Sequence, residues 1–218
     1  MIKRICFTAL IGAAAVLALP GMALAVDGQV LITQARAMAG GVTAGDAPGF
    51  PVTISEPGSY RLASNLIVPA GANGIEITAN DVTIDLNGFS IVLPEATTQT
   101  SPPFFNGITD LGTARKFITI RDGTIIGPDP AKAIDLSATR YATVWGTKTN
   151  TLNVTFNTSG LGILVNTESL LRNNVSDGLI FITCPGLITH NVSSGNINRD
   201  ITAGECVHNN NRGLNLIE

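Results

Sequence analysis

The stretch that decides the fold lies near the C-terminus, where the chain repeats a short unit: Asn174-Val-Ser-Asp-Gly-Leu179, Asn191-Val-Ser-Ser-Gly-Asn196 and Asn210-Asn-Arg-Gly-Leu214. The glycines of these units are 17 and 18 residues apart. A short period with Asn and Gly at recurrent places is typical of a solenoid. In a parallel β-helix, coils stack about 4.8 Å apart, and stacked Asn side chains hydrogen-bond along the stack. The repeat therefore predicts an all-β parallel β-helix.

Asparagine is concentrated where the repeat is clearest. Of 18 Asn residues, 13 fall within residues 150–218. An antiparallel sandwich or jelly roll is the main alternative, but strand interiors disfavour Asn. Such a fold explains alternating hydrophobicity and leaves the repeated unit unexplained. The concentration favours Asn ladders inside or at the corners of a solenoid.

Upstream of this repeat, short β-rich runs are separated by Gly, Asn, Asp and Pro. Val82-Thr-Ile-Asp-Leu-Asn-Gly88 parallels Ile118-Thr-Ile-Arg-Asp-Gly123, and no helical stripe is found from residue 52 onward. We expect the β-helix to span residues 52–218. Residues 26–51 are expected to form a cap and loop, with a short capping helix over 31–39. Thr33 is its expected N-cap, and Gly40-Gly41 ends it.

The N-terminus has the pattern of a bacterial secretory signal peptide. Lys3 and Arg4 precede an uncharged apolar stretch, and Ala23-Leu-Ala25 forms a small-x-small cleavage site. The apolar stretch is too short for a membrane span, which needs about 20 residues, and Pro20-Gly21 interrupts it. We therefore expect cleavage after Ala25, a periplasmic or extracellular destination and no membrane span in the mature chain.

The composition excludes one class of function. The 218 residues are 44% apolar and 13% charged, with a net charge of −3. Cleavage removes two of the 13 basic residues and none of the 16 acidic ones, which leaves a net charge of −5. Without a basic surface there are no counterions to release from a phosphate backbone, so a nucleic-acid partner is not expected.

The N-terminal half of the mature chain resembles a known family. Gly45-Asp-Ala-Pro-Gly-Phe-Pro-Val-Thr-Ile-Ser-Glu-Pro-Gly-Ser-Tyr-Arg-Leu62 and Ile75-Glu-Ile-Thr-Ala-Asn-Asp-Val-Thr-Ile-Asp-Leu-Asn-Gly-Phe-Ser-Ile91 are similar to secreted bacterial proteins with right-handed parallel β-helix repeats, of the pectate-lyase-like superfold. The resemblance covers residues 27–125 and continues at repeat level beyond them. It implies a right-handed coil. It does not imply one activity, because this superfold carries lyases, hydrolases, adhesins and structural coils.

The best candidate catalytic set is Asp85, Arg121 and Asp122. Side-chain alternation turns Asp85 and Arg121 outward on the strands 82–86 and 118–122. If these strands stack, Arg121 lies beside both carboxylates. It could then act as the proton-abstracting base of a lyase, with calcium as a cofactor in that case only. The other interpretation is a cross-strand ion pair without catalytic function, and no other cofactor is expected.

Four aromatic residues are candidates for binding sugar rings: Phe104, Phe105, Tyr141 and Trp145. Phe104 and Phe105 lie in the stretch 93–115, which is expected to leave the coil as a loop, and loops often carry function. The alternative for this pair is a local apolar cluster covering the side of the coil.

Two cysteines and two histidines lie in the last coils. Cys184 and Cys206 are the only cysteines of the mature chain, and an oxidising compartment favours their pairing. Strict stacking places Cys184 near residue 202, so pairing requires a few extra residues between 196 and 204. His190 and His208 are one coil apart at 18 residues, but the spacing matches no zinc motif and no metal site is expected.

Two functions therefore stay open. The first is a secreted structural or carbohydrate-interacting solenoid without catalysis. The alternative is a polysaccharide lyase or glycoside hydrolase acting on an acidic polysaccharide such as pectin or alginate. The sequence does not predict an oligomeric state.

Overall fold

The chain forms an all-β parallel solenoid. The computed structural model describes residues 28–94, 105–127, 132–151, 161–166, 168–176, 179–193, 197–200, 202, 204–212 and 216–217. The predicted signal peptide therefore lies outside the described residues. Every strand pair within them is parallel, and the pairing runs in sequence order from one coil to the next.

Two long sheets form the walls of the solenoid. The main path of sheet A comprises β1 (Gln29–Ile32), β3 (Gly58–Leu62), β6 (Val82–Asp85), β10 (Ile118–Gly127), β13 (Thr143–Thr151), β15 (Ser169–Arg172), β18 (Gly186–Thr189) and β21 (Cys206–Asn209). Sheet A also includes β4 (Leu66–Ile67), β7 (Ser90–Val92), β16 (Val175–Ser176) and β19 (Val192–Ser193). Sheet B comprises β2 (Val52–Ile54), β5 (Ile75–Ile77), β8 (Ile108–Thr109), β11 (Ile134–Leu136), β14 (Leu161–Val165), β17 (Leu179–Thr183), β20 (Ile197–Asp200) and β22 (Leu216–Ile217). Strands β9 (Arg115–Lys116) and β12 (Thr139–Arg140) form a small third sheet.

The core is a stack of aliphatic side chains between the two walls. In sheet B one inward position holds isoleucine in successive coils, and each of these side chains is at most 1% exposed: Ile75, Ile108, Ile134, Ile163, Ile180 and Ile197. Burying one such side chain stabilises the fold by about 1.5–3 kcal/mol. Because the coils repeat, the core is continuous along the solenoid axis.

The predicted capping helix is present but shorter than expected. Helix α1 (Gln34–Ala39) begins after Thr33, whose Oγ1 accepts a hydrogen bond from the Arg36 amide, and ends at Gly40. The predicted start at residue 31 is wrong, because residues 29–32 form β1 and pair in parallel with β3. Sheet A therefore has its first strand before residue 52.

The predicted Asn ladder is confirmed. The Oδ1 of Asn191 accepts from the Nδ2 of Asn174 at 3.0 Å, and the Oδ1 of Asn211 accepts from the Nδ2 of Asn191 at 3.1 Å. Asn174 and Asn191 are fully buried, and their Nδ2 groups also donate to the backbone carbonyls of Val144 and Leu171. The ladder therefore satisfies polar groups inside the apolar core.

A column of left-handed residues turns the chain just before this ladder. Its members have φ between 51° and 63° and come from successive coils: Asn87, Asp122, Gly146, Asn173, His190 and Asn210. Asn and Asp tolerate this conformation better than most residues. At Gly146 a Cβ would also lie 2.7 Å from Asp122 Oδ1, so that corner is closed to other side chains.

The histidines are not stacked on each other. His208 pairs in register with Ile188, and His190 contacts the Asn210 side chain at 3.1 Å from its Nε2. The reason is coil length, because this coil has 20 residues instead of 18.

The predicted disulfide between Cys184 and Cys206 is confirmed. The two Cα atoms are 5.1 Å apart, and the residues are separated by 22 positions. Register places Cys206 opposite Gly186, two residues after Cys184. The longer coil therefore brings the cysteines together, as the expected extra residues required.

Replacing both cysteines with alanine should lower the free energy of unfolding by on the order of 3 kcal/mol, because the bridge restricts the unfolded chain over a loop of this length. Urea unfolding of C184A/C206A measures the loss. The reduced wild-type protein is the control and should behave like the double variant. An unfolding midpoint equal to that of the oxidised wild type would contradict the expected stabilisation.

A buried carboxyl group ties two neighbouring coils together. Asp110 is fully buried and accepts hydrogen bonds from the Gly112 and Ala138 amides and the Thr139 hydroxyl, at 2.9–3.0 Å. Burial raises the pKa of Asp110 above its usual value of 3.8, although these hydrogen bonds oppose the shift.

This shift predicts a pH dependence. Between the unfolded and folded pKa values of Asp110 the native state binds more protons, so stability falls as pH rises upward from about 4. Urea midpoints measured from pH 3.5 to about pH 7 should show this fall in the wild type and not in D110N. The control D81N changes an exposed carboxyl and should follow the wild type. Parallel curves for D110N and the wild type would contradict the assignment.

Candidate functional site

The outward face of sheet A carries three columns of side chains that run along the solenoid axis. The centre column holds Ser59, Thr83, Thr119, Thr143, Leu170, Leu187 and Val207. The trailing column, two residues later in each strand, holds Arg61, Asp85, Arg121, Trp145, Arg172, Thr189 and Asn209. The leading column, two residues before the centre column, holds Asp81, Phe117, Tyr141, Glu168, Pro185 and Glu205. Most of the functional candidates meet on this face.

The predicted catalytic set comes together in the trailing column. Arg121 pairs in register with Asp85, and its Nη2 lies 2.9 Å from Asp85 Oδ2, while its Nη1 lies 3.5 Å from Asp122 Oδ2. Asp85 is only 7% exposed and also accepts a hydrogen bond from the Asn87 amide. Both terminal nitrogens of Arg121 thus face carboxylates, an arrangement that also serves a purely structural ion pair. The catalytic role stays a prediction.

Trp145 lies between two arginines in the same column. The guanidinium carbons of Arg121 and Arg172 are 5.6 and 5.5 Å from the Trp145 ring. These arginines belong to the coils on either side of Trp145, so they cover both faces of the ring. Arg172 is exposed, and in the described part of the chain no carboxylate lies within ion-pair distance of it.

A second aromatic contact forms in the leading column. The rings of Phe117 and Tyr141 stack at 4.9 Å with an interplanar angle of 11°, and they are 54% and 36% exposed. Arg140 lies 5.5 Å from the Tyr141 ring and forms an ion pair with Glu168 in the next coil. Hydrogen bonding to Glu168 raises the pKa of Arg140.

The backbone holds this stack in an unusual conformation. Phe117 and Tyr141 have φ of 58° and 59°. Bulky residues rarely adopt this region, which costs about 1–3 kcal/mol each. The coil stacking must offset that cost. Phe117 was missed from the sequence, although its place directly before the inward-facing Ile118 is a signal that could have aligned it with Tyr141.

The other two aromatic candidates do not reach this face. Phe104 lies outside the described residues. Phe105 is half-buried and leads into β8 of sheet B. The expectation that residues 93–115 form one loop is wrong in its second half, because Ile108 and Thr109 pair with sheet B and Arg115 and Lys116 form β9.

The site residues do not suit a metal ion. Within the described residues, no group of three or more His, Cys, Asp or Glu side chains is placed to hold one. Calcium takes about six to eight oxygen ligands, whereas Asp85 and Asp122 both face the Arg121 guanidinium. These carboxylates therefore do not fit a calcium site.

Comparisons with known proteins place no relative beside this chain: no family model, no curated protein and no solved structure matches it. The fold assignment thus stands on the strand pairing itself. Among the described residues, no helix is long and apolar enough to cross a membrane.

Proposed function

We propose that the protein is a non-catalytic solenoid of the periplasm or extracellular space, and that the outward face of sheet A binds an acidic polysaccharide. Export through the signal peptide cleaved after Ala25 is part of this proposal. The Cys184–Cys206 disulfide supports it, because such bonds persist in oxidising compartments.

The observation that carries the proposal is the exposed Arg172 beside Trp145. Its guanidinium has no carboxylate partner among the described residues, so its donors are available to a ligand carboxylate. A guanidinium matches the planar geometry of a carboxylate and binds it through two parallel hydrogen bonds. Uronate units of an acidic polysaccharide present this group along the whole chain.

The shape of the face suits a polymer. The three columns continue from coil to coil at about 4.8 Å, without an interruption by a long loop between β10 and β15 on this face. Thr119 and Thr143 offer hydroxyl groups between the aromatic columns. Because Arg121 and Arg172 cover the faces of Trp145, we expect sugars to contact the ring edge and the guanidinium.

Arg172→Ala should weaken binding to polygalacturonate about tenfold, which is the loss of one charged hydrogen bond of roughly 1.5 kcal/mol. Affinity electrophoresis of the mature protein in gels with polygalacturonate, alginate or neutral dextran measures the retardation. The matched control is Arg212→Ala, which removes an exposed arginine outside the three columns. Equal losses for both variants, or no retardation by acidic polymers, would contradict the proposal.

The Arg121, Asp85 and Asp122 cluster favours a second candidate, a polysaccharide lyase. In that case Arg121 would take a proton beside the uronate carboxylate, and the mature protein would release unsaturated uronides from pectin or alginate. Ultraviolet absorbance of the products tests this, with and without calcium. We expect no release. Product formation by the wild type that Arg121→Ala abolishes would establish the lyase instead.

A further inference from the structure

We propose that the outward face of sheet A also joins two copies of this chain, packed face to face about a two-fold axis parallel to the solenoid axis. This inference uses the same face as the proposed function but does not depend on polysaccharide binding. The second copy and a polysaccharide would compete for the face.

The symmetry decides which columns meet. A two-fold axis placed over the centre column keeps each coil level with the same coil of the second copy and runs the facing strands antiparallel. The centre column then faces its own counterpart. The leading column of each copy faces the trailing column of the other.

Three successive coils then form complementary pairs. Phe117 faces the second copy's Arg121, a cation over an aromatic ring. One coil later, Tyr141 faces the second copy's Trp145, an aromatic pair. In the next coil, Glu168 faces the second copy's Arg172, an ion pair that supplies the carboxylate Arg172 lacks among the described residues.

The centre column meets the requirement of an axial position. Any charge there would face an identical charge, and the column holds no charged residue in its seven described positions. Threonines occupy the coils of Phe117 and Tyr141, and apolar side chains follow in the last three coils. Leu187 and Val207 are 39% and 67% exposed, so a copy of the same column would cover apolar surface.

The extent of the face sets the strength of the dimer. At the level of Asp81 and Asp85 two acidic residues would face each other, which ends the complementary region and fixes its register. Five coils from Phe117 to Val207, about 4.8 Å apart, and three columns give roughly 500 Å² per copy with side chains included. A total near 1,000 Å² is at the low end of specific interfaces and corresponds to a weak, concentration-dependent dimer.

Sedimentation velocity of the mature chain, without polysaccharide, tests the dimer. From about 1 to 300 µM the wild type should shift from monomer to dimer. Thr143→Arg places two guanidinium groups opposite each other on the axis and should remain monomeric. The control Val192→Arg charges an exposed valine outside the three columns and should dimerise like the wild type. A wild type that stays monomeric, or a T143R that dimerises equally, overturns the proposal.

A charge-swap experiment tests the pairing itself. Glu168→Arg and Arg172→Glu should each lose the dimer, because like charges then face each other twice. An equimolar mixture of E168R and R172E restores both ion pairs and should form a heterodimer. Circular dichroism confirms that each variant is folded. No heterodimer from folded variants would overturn the assigned symmetry, whereas a failure to bind polysaccharide would leave these results unchanged.

Discussion

Asn174→Ala is expected to lower the free energy of unfolding by about 3–5 kcal/mol, because several buried polar groups lose their partners at about 1–3 kcal/mol each. Asn174 Oδ1 accepts from the amide and the hydroxyl of Thr147, at 3.2 and 2.8 Å. Its Nδ2 donates to the Val144 carbonyl and to Asn191 Oδ1. Alanine replaces none of these bonds, and the buried site gives water no easy access.

Asn173→Ala is the matched control. Asn173 is the preceding residue, is exposed and has a φ of 54°. Alanine there loses only the tolerance of asparagine for the left-handed region, which costs about 1 kcal/mol. Urea unfolding of the two variants separates the effects. If both lose the same free energy, the ladder does not provide the stability assigned to it.

Gly123→Ala is expected to destabilise the solenoid by about 3 kcal/mol or more, at the upper end for an overpacked core. A Cβ at Gly123 would lie 2.2 Å from Leu86 Cβ and 2.7 Å from the Phe89 carbonyl oxygen. Both atoms are fixed to the backbone of the neighbouring coil. Relief therefore requires moving one coil relative to the next.

The control for this variant lies on the same strand. At Gly127 an added Cβ would lie 2.8 Å from Leu93 Cδ1, the end of a flexible side chain. Gly127→Ala should cost about 1 kcal/mol, because that side chain can rotate away. Thermal unfolding of both variants measures the difference. A smaller loss for G123A than for G127A would contradict the close packing of β10 on the preceding coil.

The C-terminal coils could be predicted from the sequence because there the repeat and the coil have the same length. Asn174 bonds to Asn191 at 17 positions, close to the spacing of the glycines. The N-terminal coils are longer, and 36 residues separate Asp85 from Arg121. Insertions at the corners do not disturb the inward alternation, so no constant period marks these coils in the sequence.

The candidate site could be predicted only along the strands. Alternation put Asp85 and Arg121 on the outer face, and the structure places them in register. The contacts of Trp145 depend on which coil follows which, and residue spacing did not give that order. Phe117 was missed because it lies at a corner, where a left-handed backbone breaks the alternation that locates outward side chains.

The Asn ladder also makes the coils interchangeable. Asn174 and Asn191 each accept on Oδ1 from the coil before and donate from Nδ2 to a carbonyl of that coil and to the next asparagine. A tandem copy of residues 174–190 would therefore offer its neighbours the same bonds that they already make. The protein can thus lengthen in the middle of its stack, by about 4.8 Å per duplicated segment, while both ends keep their present contacts. Length variation by duplication of one coil is the evolutionary change that this architecture accommodates with the least disturbance.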